Sequence, residues 1–345
     1  MLKRSIVLLN LGGPDSLEAV QPFLNNLFKD PAIIGLPALF RLPLAKFIST
    51  RRAPVAREIY AQLGGRSPLL PLTEEQAVAL GEALNNQDPE HTYKVFIAMR
   101  YWHPLSEETV SSVKAFDPDE ILLLPLYPQY STATSDSSII EWKKSAKKLG
   151  LARPTYTLCC YPVDDNWALA QSDLLNAQID TLESKQNYRV LFSAHGLPKK
   201  IVDRGDPYQW QVERSAETIA RISNLAEETW TVCYQSRVGP LKWIGPSLDD
   251  ELKRAAAEKV AVIVLPIAFV SEHSETLVEL DIEYKEIADE LGILAYKRVP
   301  ALGTHPDFIR GLRDISLTAF QNKINFGPAE NTRFCPRKAG KCQCL

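Results

Sequence analysis

Three glutamates at four-residue intervals are the strongest chemical signal in this chain of 345 residues. Glu275, Glu279 and Glu283 follow the apolar run Val260–Val270, and on a helix they would form one acidic stripe. A row of carboxylates can bind a divalent metal ion or pass protons. The alternative is a solvated acidic flank of a helix. Like charges four residues apart destabilise a helix, however, which favours a functional role for the stripe.

A histidine stands in a similar position after a second apolar run, Tyr188–Ser193. His195 precedes Gly196 in a turn, where loops commonly present catalytic groups, and imidazole exchanges protons near neutral pH. Open parallel sheets hold ligands at the carboxyl ends of their strands, so we expect His195 and Glu275 to face one cleft. His273 is the competing histidine, but its neighbouring serine and glutamate favour a role in helix capping.

Aromatic side chains follow several of the apolar runs and predict an aromatic-walled cleft. They are Tyr101, Trp102, Tyr127, Tyr130 and Trp243. Arg51 and Arg52 follow the unusually apolar segment Pro31–Phe47. That segment is either a pair of helices ending in positive residues, or an exposed apolar lip that contacts a membrane or a flat apolar ligand.

Three cysteines near the end of the chain, Cys335, Cys342 and Cys344, form a second candidate site. They are half of the six cysteines in the sequence, and an iron–sulfur cluster or a structural zinc site needs four ligands. The pair Cys159–Cys160 offers the fourth thiolate, whereas Cys233 is expected to be a buried core thiol. The alternative is a redox-sensitive tail without a metal.

The composition limits the class of protein. Hydrophobic residues make up 45% of the chain and charged residues 23%, with a net charge of -3 and a pI near 6.0. These values are typical of a globular protein and exclude a general nucleic-acid binder, which needs a basic surface. The stretch Ser131–Ser138 lacks the glycines and the lysine of a phosphate loop, so no nucleotide is expected.

The start of the chain and its apolar runs bear on localisation. No run reaches the length of a transmembrane helix, and Met1–Arg4 leads directly into a predicted strand, which leaves no room for a signal peptide. We therefore expect a cytoplasmic protein, or a matrix protein if a transit peptide has been removed.

Apolar runs alternate with helical patterns along the whole chain, which predicts an α/β fold with parallel sheets. Two pairs of runs also resemble one another, since IVLLNLGGP (6–14) matches RVLFSAHGLP (189–198) and ILLLPLYPQYS (121–131) matches VIVLPIAFVSE (262–272). We therefore predict two similar domains, residues 1–163 and 164–309, and a C-terminal helix with a cysteine-rich extension at 310–345. The predicted strands are Ser5–Leu11, Lys94–Met99, Glu120–Leu124 and Tyr156–Cys160, then Tyr188–Ser193, Thr229–Tyr234, Lys259–Ala268 and Ile293–Tyr296.

Taken together, these segments resemble the ferrochelatases, the enzymes that insert ferrous iron into a porphyrin to give haem. The resemblance covers nearly the whole chain, and its many motifs occur in order, which makes it far more specific than one short match. The motifs are LNLGGP (9–14), STRRAP (49–54), GGRSPL (64–69), RYWHPLSEE (100–108), LYPQYS (126–131), LFSAHGLP (191–198), VDRGDPY (202–208), YQSRVGPLKWIGP (234–246) and PIAFVSEHSETLVELDIEY (266–284).

The resemblance implies a fold, a substrate and a set of site residues. It implies two Rossmann-like, chelatase-type domains, each a parallel sheet flanked by helices, with a bent porphyrin in the cleft between them. His195 and Glu275 would be the catalytic pair, and Glu279 and Glu283 would extend the path of the ferrous iron substrate. The implied porphyrin-binding residues are Leu11, Arg51, Tyr60, Ser67, Arg100, Tyr101, Tyr127 and Trp243.

Further expectations follow from the same resemblance. Protoporphyrin IX is the expected porphyrin, although a more carboxylated one stays open, and the chain would be a monomer or a homodimer. The segment Pro31–Phe47 would contact the surface of the inner membrane. The alternatives are another tetrapyrrole chelatase, for example one for cobalt, or a porphyrin carrier or iron–sulfur sensor without turnover.

The cysteine tail resembles that of the cluster-bearing ferrochelatases, which have the spacing Cys-x6-Cys-x-Cys and an internal fourth ligand. It implies a [2Fe–2S] cluster held by Cys335, Cys342 and Cys344. Other members have an internal cysteine in the YPQYS turn, where this chain has Thr132. The expected fourth ligand is therefore Cys159 or Cys160.

Overall fold

The structure is a computed structural model that describes residues 1–183, 187–237, 239, 241–330 and 332–344. The chain forms two compact units. Unit 1 consists of residues 1–160, 312–333 and 344–345, and unit 2 consists of residues 161–311 and 334–343.

Unit 1 is built on a parallel sheet of four strands in the order β2-β1-β3-β4. The central strand β1 is buried along most of its length, as its continuous apolar sequence requires of a strand covered on both faces. Its strands are β1 (Lys3–Asn10), β2 (Thr92–Met99), β3 (Glu120–Pro125) and β4 (Thr155–Thr157). Its helices are α1 (Val20–Lys29), α2 (Ala38–Gln62), α3 (Leu69–Gln87), α4 (Ser106–Phe116) and α5 (Ser135–Lys148).

Unit 2 contains a second parallel sheet of four strands in the order β6-β5-β7-β8. Its strands are β5 (Tyr188–His195), β6 (Trp230–Gln235), β7 (Ala261–Pro266) and β8 (Tyr296–Arg298). Its helices are α6 (Asp165–Ile179), α7 (Lys199–Asp203), α8 (Tyr208–Ile222), a short 3₁₀ helix (Glu227–Thr229), α9 (Leu248–Glu258), a π-helix (Glu275–Glu283) and α10 (Tyr284–Glu290). The last helix, α11 (Pro306–Asn322), begins in unit 2 and ends in unit 1.

The two sheets have the same strand order, which explains the internal sequence similarity. The first matching pair of runs forms the central strands β1 and β5, and the second pair forms β3 and β7. The predicted fold class, two parallel sheets each flanked by helices, is confirmed. Two strands deviate most from their predicted limits, because β4 ends at Thr157 and β8 begins only at Tyr296, whereas the limits of the other strands differ by at most two residues.

The predicted helix that carries the three glutamates is not a regular α-helix. Its first part, Glu275–Glu283, is a π-helix, and the N–H of Tyr284 donates across a step of five residues to the carbonyl of Glu279. Strand β8 contacts this segment from the sheet. The Tyr296 hydroxyl donates to the carbonyl of Leu280 at 2.8 Å. Long π-helices are rare and commonly lie at functional sites.

Arg298 on β8 binds the same segment at two points. Its Nη1 donates to Glu272 Oε1 at 2.7 Å, and its Nε and Nη2 donate to the two oxygens of Asp281 at 2.6 and 2.7 Å. A bidentate guanidinium–carboxylate pair restrains orientation as well as distance. Arg298 therefore connects the turn before the π-helix to the helix itself.

Of the two alternatives for the apolar segment Pro31–Phe47, the structure does not show the pair of helices. One helix, α2, runs from Ala38 to Gln62 through two internal prolines. It packs on α1, while Leu39, Phe40 and Phe47 remain exposed. In the part of the chain that the structure describes, this helix and all others are too short or too polar to cross a bilayer.

The C-terminal region divides between the units. In unit 1, the Phe320 ring of α11 packs against the rings of Tyr93 and Tyr156, and Arg4 lies 4.8 Å from its centroid. Residues 334–343 pack on unit 2 instead, where the N–H of Lys341 donates to the carbonyl of Gly205 at 3.0 Å.

Candidate active site

His195 and Glu275 lie at the carboxyl ends of adjacent strands of unit 2. His195 is the last residue of β5, and Glu275 opens the π-helix that follows β7. Because β5 and β7 are parallel neighbours, their ends meet at one edge of the sheet. The structure brings the two side chains together, with His195 Nδ1 at 2.8 Å from Glu275 Oε2.

The electrostatics of this contact make the His195 imidazole more basic and keep the Glu275 carboxylate ionised. Burial lowers the pKa of His195, but the charge and hydrogen bond of Glu275, with the charge of Glu279, outweigh it and raise that pKa. Burial alone would raise the pKa of Glu275, but the positive imidazole lowers it. The His195 side chain is still 41% exposed, and its bond through Nδ1 leaves Nε2 as the ring nitrogen for a ligand or a proton.

Glu279 is the second carboxylate of the site, one step further along the π-helix. Its Oε1 accepts from the backbone N–H of Ser236 at 2.8 Å, and its Oε2 accepts from Ser236 Oγ at 2.6 Å and from Gln235 Nε2 at 3.0 Å. Burial and the neighbouring charge of Glu275 raise the pKa of Glu279, although these hydrogen bonds oppose the shift. A carboxylate with a raised pKa is suited to accept and release a proton near neutral pH.

Sequence reasoning missed the polar residues that bind Glu279. Gln235 and Ser236 belong to the YQSRVGPLKWIGP motif, but the pattern of the motif did not assign them a role. Ser236 has a φ of 59°, which is unusual for a residue other than glycine. Gln235 ends the buried strand β6 and Ser236 follows it, and a polar pair at the end of a buried strand is the sequence signal that could have marked them.

The other two candidates near the π-helix lie in different environments. His273 is buried, its ring centroid is 4.3 Å from that of Phe269, and its backbone N–H donates to Thr276 Oγ1. Burial lowers the pKa of His273, so the ring is neutral at neutral pH. Glu283 is exposed at the end of the π-helix.

Gly196 and Trp243 form the turn beside His195. The N–H of Gly196 donates to the carbonyl of Gln235 at 2.9 Å, and a Cβ on Gly196 would lie 2.9 Å from the same oxygen. The close approach of the two strand ends therefore requires glycine. Trp243 is half-buried and pairs with Pro198 through an isolated β-bridge. Val238 and Pro240 of this loop lie outside the described residues.

The remaining predicted porphyrin contacts lie in unit 1. Leu11, Tyr60 and Tyr101 belong to one apolar cluster with Val20, Phe23 and Leu24 of α1. Arg51 is exposed on α2, with its guanidinium 5.9 Å from the Phe47 ring.

Arg100 and Tyr101 both bind a buried aspartate. Arg100 Nη2 and the Tyr101 hydroxyl each donate to Asp30 Oδ2 at 2.8 Å, and the hydroxyl of Ser137 donates to the same oxygen. Asp30 is only 4% exposed, so the positive charge of Arg100 is what allows its burial. In this structure the Arg100 guanidinium therefore neutralises the charge of the buried Asp30 carboxylate.

Ser67 and Tyr127 complete the predicted set. Ser67 is buried, and its N–H donates to the carbonyl of Pro14 at 2.8 Å. Its Oγ accepts from the N–H of Leu69, which opens α3. Tyr127 is half-buried just beyond β3, and burial raises the pKa of its hydroxyl.

Comparison with known protein families shows to which family the chain belongs. Residues 3–319 match the ferrochelatase family model. The chain belongs to the ferrochelatase family. A ferrochelatase from Pelagibacter ubique is 50% identical over 344 residues, which cover 100% of this chain and 99% of the relative. A ferrochelatase from Caulobacter vibrioides is 52% identical over 347 residues, covering 99% and 97%.

Solved structures support the fold of this ferrochelatase-family chain. The sirohydrochlorin chelatase of Bacillus subtilis subspecies spizizenii aligns over 100% of both chains with a TM-score of 0.51 and 13% sequence identity. At this identity the likeness concerns the architecture alone.

The two alternatives for the internal cluster ligand, Cys159 and Cys160, meet Cys344 in unit 1. Cys159 Sγ lies 3.3 Å from Cys160 Sγ and 3.4 Å from Cys344 Sγ, and all three residues are buried. Thiolates on one metal ion stand about 3.7 Å apart, given metal–sulfur bonds of about 2.3 Å. The sulfurs are therefore slightly closer than ligands would be, but the soft donor set fits thiolate ligation.

The other two cysteines, Cys335 and Cys342, belong to unit 2. Gln211 Nε2 donates to Cys335 Sγ at 3.1 Å. As the side chains stand, the described residues contain no group of three or more His, Cys, Asp or Glu placed to hold a metal ion.

Proposed function

We propose that this chain inserts ferrous iron into protoporphyrin IX, with His195 and Glu275 as the catalytic pair. Membership in the ferrochelatase family makes iron insertion into a porphyrin, with haem as the product, the reaction of this enzyme. The observation that supports the catalytic pair is the 2.8 Å contact between His195 Nδ1 and Glu275 Oε2 at one sheet edge. Binding of the porphyrin between the two domains stays a prediction from the resemblance.

The reaction releases two protons, because Fe²⁺ replaces the two pyrrole N–H hydrogens of the free-base ring. In this proposal neutral His195 accepts one proton at Nε2, and Glu275 stabilises the imidazolium that forms. Glu279, whose pKa is raised, accepts the next proton, and exposed Glu283 passes it to solvent. Imidazole and carboxylate ligands also bind ferrous iron loosely enough to release it to the ring.

The test is an anaerobic assay with purified protein, ferrous iron and protoporphyrin IX. We expect loss of free-porphyrin fluorescence as haem forms, and His195→Ala should abolish turnover while porphyrin binding persists. A parallel assay with Co²⁺ distinguishes a cobalt chelatase. An assay with coproporphyrin tests whether the enzyme prefers a porphyrin with more carboxylates. Porphyrin binding without turnover by the wild type would indicate a carrier, and turnover by His195→Ala would remove His195 from the mechanism.

A second proposal concerns the tail. We propose that Cys335, Cys342, Cys344 and Cys159 hold a [2Fe–2S] cluster. The 3.4 Å contact between the Cys159 and Cys344 sulfurs supports Cys159 as the internal ligand. When bound, the cluster would supply a one-electron redox centre.

Iron and sulfide analysis of anaerobically purified protein tests this assignment. We expect two iron and two sulfide per chain in addition to visible absorption. Cys159→Ala should remove both, whereas Cys160→Ala and the buried core variant Cys233→Ala should keep them. A colourless wild type with one zinc per chain would contradict the cluster, and loss in Cys160→Ala alone would make Cys160 the ligand.

A third proposal is peripheral contact with an anionic membrane, as at the inner membrane, through the exposed face of α2. Leu39, Phe40 and Phe47 are 77%, 62% and 61% exposed. Between Ala38 and Arg57 the sequence has five basic residues and no acidic residue. Apolar side chains beside positive charge match the interface of anionic lipid.

Co-sedimentation with vesicles that contain anionic phosphatidylglycerol tests this contact. The double variant Phe40→Ser/Phe47→Ser should lose binding, and 0.5 M salt should weaken it in the wild type. Val78→Ser, which changes an equally exposed residue of α3, is the control and should bind as the wild type does. Equal binding by the double variant would exclude α2 as the contact.

A further inference from the structure

Gln235 is a completely buried carboxamide that joins three elements of unit 2. It is the last residue of β6, and it pairs with His195 across the strand ladder. Its Nε2 donates to Glu279 Oε2 at 3.0 Å and to the backbone carbonyl of Glu275 at 3.1 Å. Both hydrogens of this amide therefore point to the π-helix that carries the two carboxylates.

Ser193 holds the oxygen of the Gln235 amide, while the two acceptors on the π-helix determine which way the amide faces. Ser193 Oγ donates to Gln235 Oε1 at 2.8 Å, and Ser193 is itself fully buried. A flipped amide would place its oxygen against the Glu279 carboxylate and the Glu275 carbonyl, which are both acceptors. Ser193 lies two residues before His195, on the same face of β5.

The three contacts form one chain of hydrogen bonds from the sheet to the site. Ser193 on β5 holds the amide of Gln235 on β6, and that amide holds Glu279 and the start of the π-helix. A buried polar side chain costs free energy unless its hydrogen bonds are made, so packing alone would favour an apolar residue here. The other donors to Glu279 come from half-buried Ser236, which follows the strand.

We infer that Gln235 is a positioning residue for iron insertion, which holds the Glu279 carboxylate and the Glu275 backbone in register with His195. This inference rests on the proposed function. Residues that orient metal-binding groups without touching the metal commonly change metal affinity about 10- to 100-fold when they are replaced. Since Gln235 contacts the Glu279 carboxylate and the Glu275 backbone, its loss should affect ferrous iron more than porphyrin.

The first test is Gln235→Met, which keeps the volume but removes the donor. We expect the KM for ferrous iron to rise about tenfold or more, while the KM for porphyrin changes less than about twofold. Anaerobic calorimetry of ferrous iron binding to the protein without porphyrin should show a matching loss of affinity. Gln171→Met is the control, because Gln171 is also buried in unit 2 but lies on α6, and it should leave both values unchanged.

A second variant, Ser193→Ala, keeps Gln235 but removes the hydroxyl that donates to its Oε1. We expect the same selective loss for iron at a smaller magnitude, and this variant decides the matter should Gln235→Met fail to fold. Wild-type values in both variants, or equal losses for iron and porphyrin, would overturn the inference. A wild type without turnover would reject the proposed function instead, and the iron affinities would still test the positioning role.

Discussion

At the scale of single residues, the contact between His195 and Glu275 sets the protonation of the site. Replacement of Glu275 by Gln keeps the shape of the side chain but removes the charge that raises the pKa of His195. We expect the pKa of His195 to fall below its raised value, and kcat to fall about 10²- to 10⁴-fold. An NMR titration of the His195 ring proton measures the first effect, and the fluorescence assay measures the second.

Glu283→Gln is the matched control for this prediction. It removes a carboxylate from the same helix eight residues further on, where the side chain is exposed. It should leave the pKa of His195 unchanged. An unchanged His195 titration in Glu275→Gln would show that the ion pair does not set the pKa.

The same pair predicts how stability depends on pH. A raised pKa of His195 gives stability that is fully present below about pH 6.5 and is lost as the pH rises through the folded-state pKa. A lowered pKa of Glu275 gives stability that is present above about pH 4.5 and is lost as the pH falls through its folded-state pKa. Urea unfolding should therefore show this stabilisation mainly between the two folded-state values, and Glu275→Gln should show a flatter profile there.

At Gly196, beside His195, the neighbouring backbone leaves no space for a side chain. A methyl group on Gly196 would lie 2.9 Å from the Gln235 carbonyl and 3.1 Å from Arg237 Cγ. We expect Gly196→Ala to cost about 1–3 kcal/mol in unfolding free energy and to lower kcat, because β5 and β6 must separate at their ends. Gly81→Ala adds a methyl that would meet Val95 at an ordinary 3.6 Å inside helix α3, so it should keep kcat and should not lower the unfolding free energy. Wild-type kcat and stability in Gly196→Ala would contradict the close approach.

Much of the site could be predicted at this scale, but not its supporting residues. His195 and Glu275 could be identified because each follows a long apolar run, and parallel strands end at one edge. The roles of Ser193 and Gln235 could not be identified, because Ser193 lies inside an apolar run, Gln235 lies at the end of another, and each finds its partner some 40 residues away. Nothing local in the sequence indicates these partners.

At the scale of elements, the π-helix depends on Arg298 of β8. The Arg298 side chain is 11% exposed and holds both Glu272 and Asp281. Replacement by Met leaves two acidic side chains without their positive partner, so we expect a loss of about 3 kcal/mol in unfolding free energy. Urea unfolding monitored by circular dichroism measures this change.

An exposed arginine of the same unit provides the comparison. Arg254 pairs with Glu258 four residues along α9, and its side chain is 54% exposed. Arg254→Met should cost about 0.5 kcal/mol or less. Equal costs for the two variants would mean that Arg298 is no more than a surface ion pair.

The π-helix itself could not be predicted from the glutamate spacing. A four-residue step slightly exceeds one turn of an α-helix but falls short of one turn of a π-helix, so both place the glutamates on a slowly winding stripe. The choice between them depends on contacts from Tyr296 and Arg298, which come from another element. The helix and its acidic side were therefore predictable, but its type was not.

At the scale of the whole molecule, the segment 334–343 is held on unit 2 by a glycine. Gly205 has a φ of 97°, and a methyl group there would lie 2.7 Å from the backbone nitrogen of Gly340. We expect Gly205→Ala to release the segment, because a cost of about 1 kcal/mol raises the open fraction about fivefold. Limited trypsin digestion at Lys338 and Lys341 measures the release.

Gly292→Ala separates the clash from backbone strain. Gly292 also has a positive φ, of 72°, but a methyl group there would meet nothing within 4 Å. It should not accelerate cleavage at Lys338 or Lys341. Equal acceleration in both variants would show that general destabilisation, and not the contact with Gly340, controls the segment.

The division of unit 1 along the chain has a consequence for biosynthesis. A ribosome makes β1 to β4 first, but the segment 312–333 of the same unit emerges only after residues 161–311. Until then Tyr93 and Tyr156 lack the Phe320 ring that packs against them in the finished protein. The sheet that is translated first therefore gains its last helix only after the second sheet has been made.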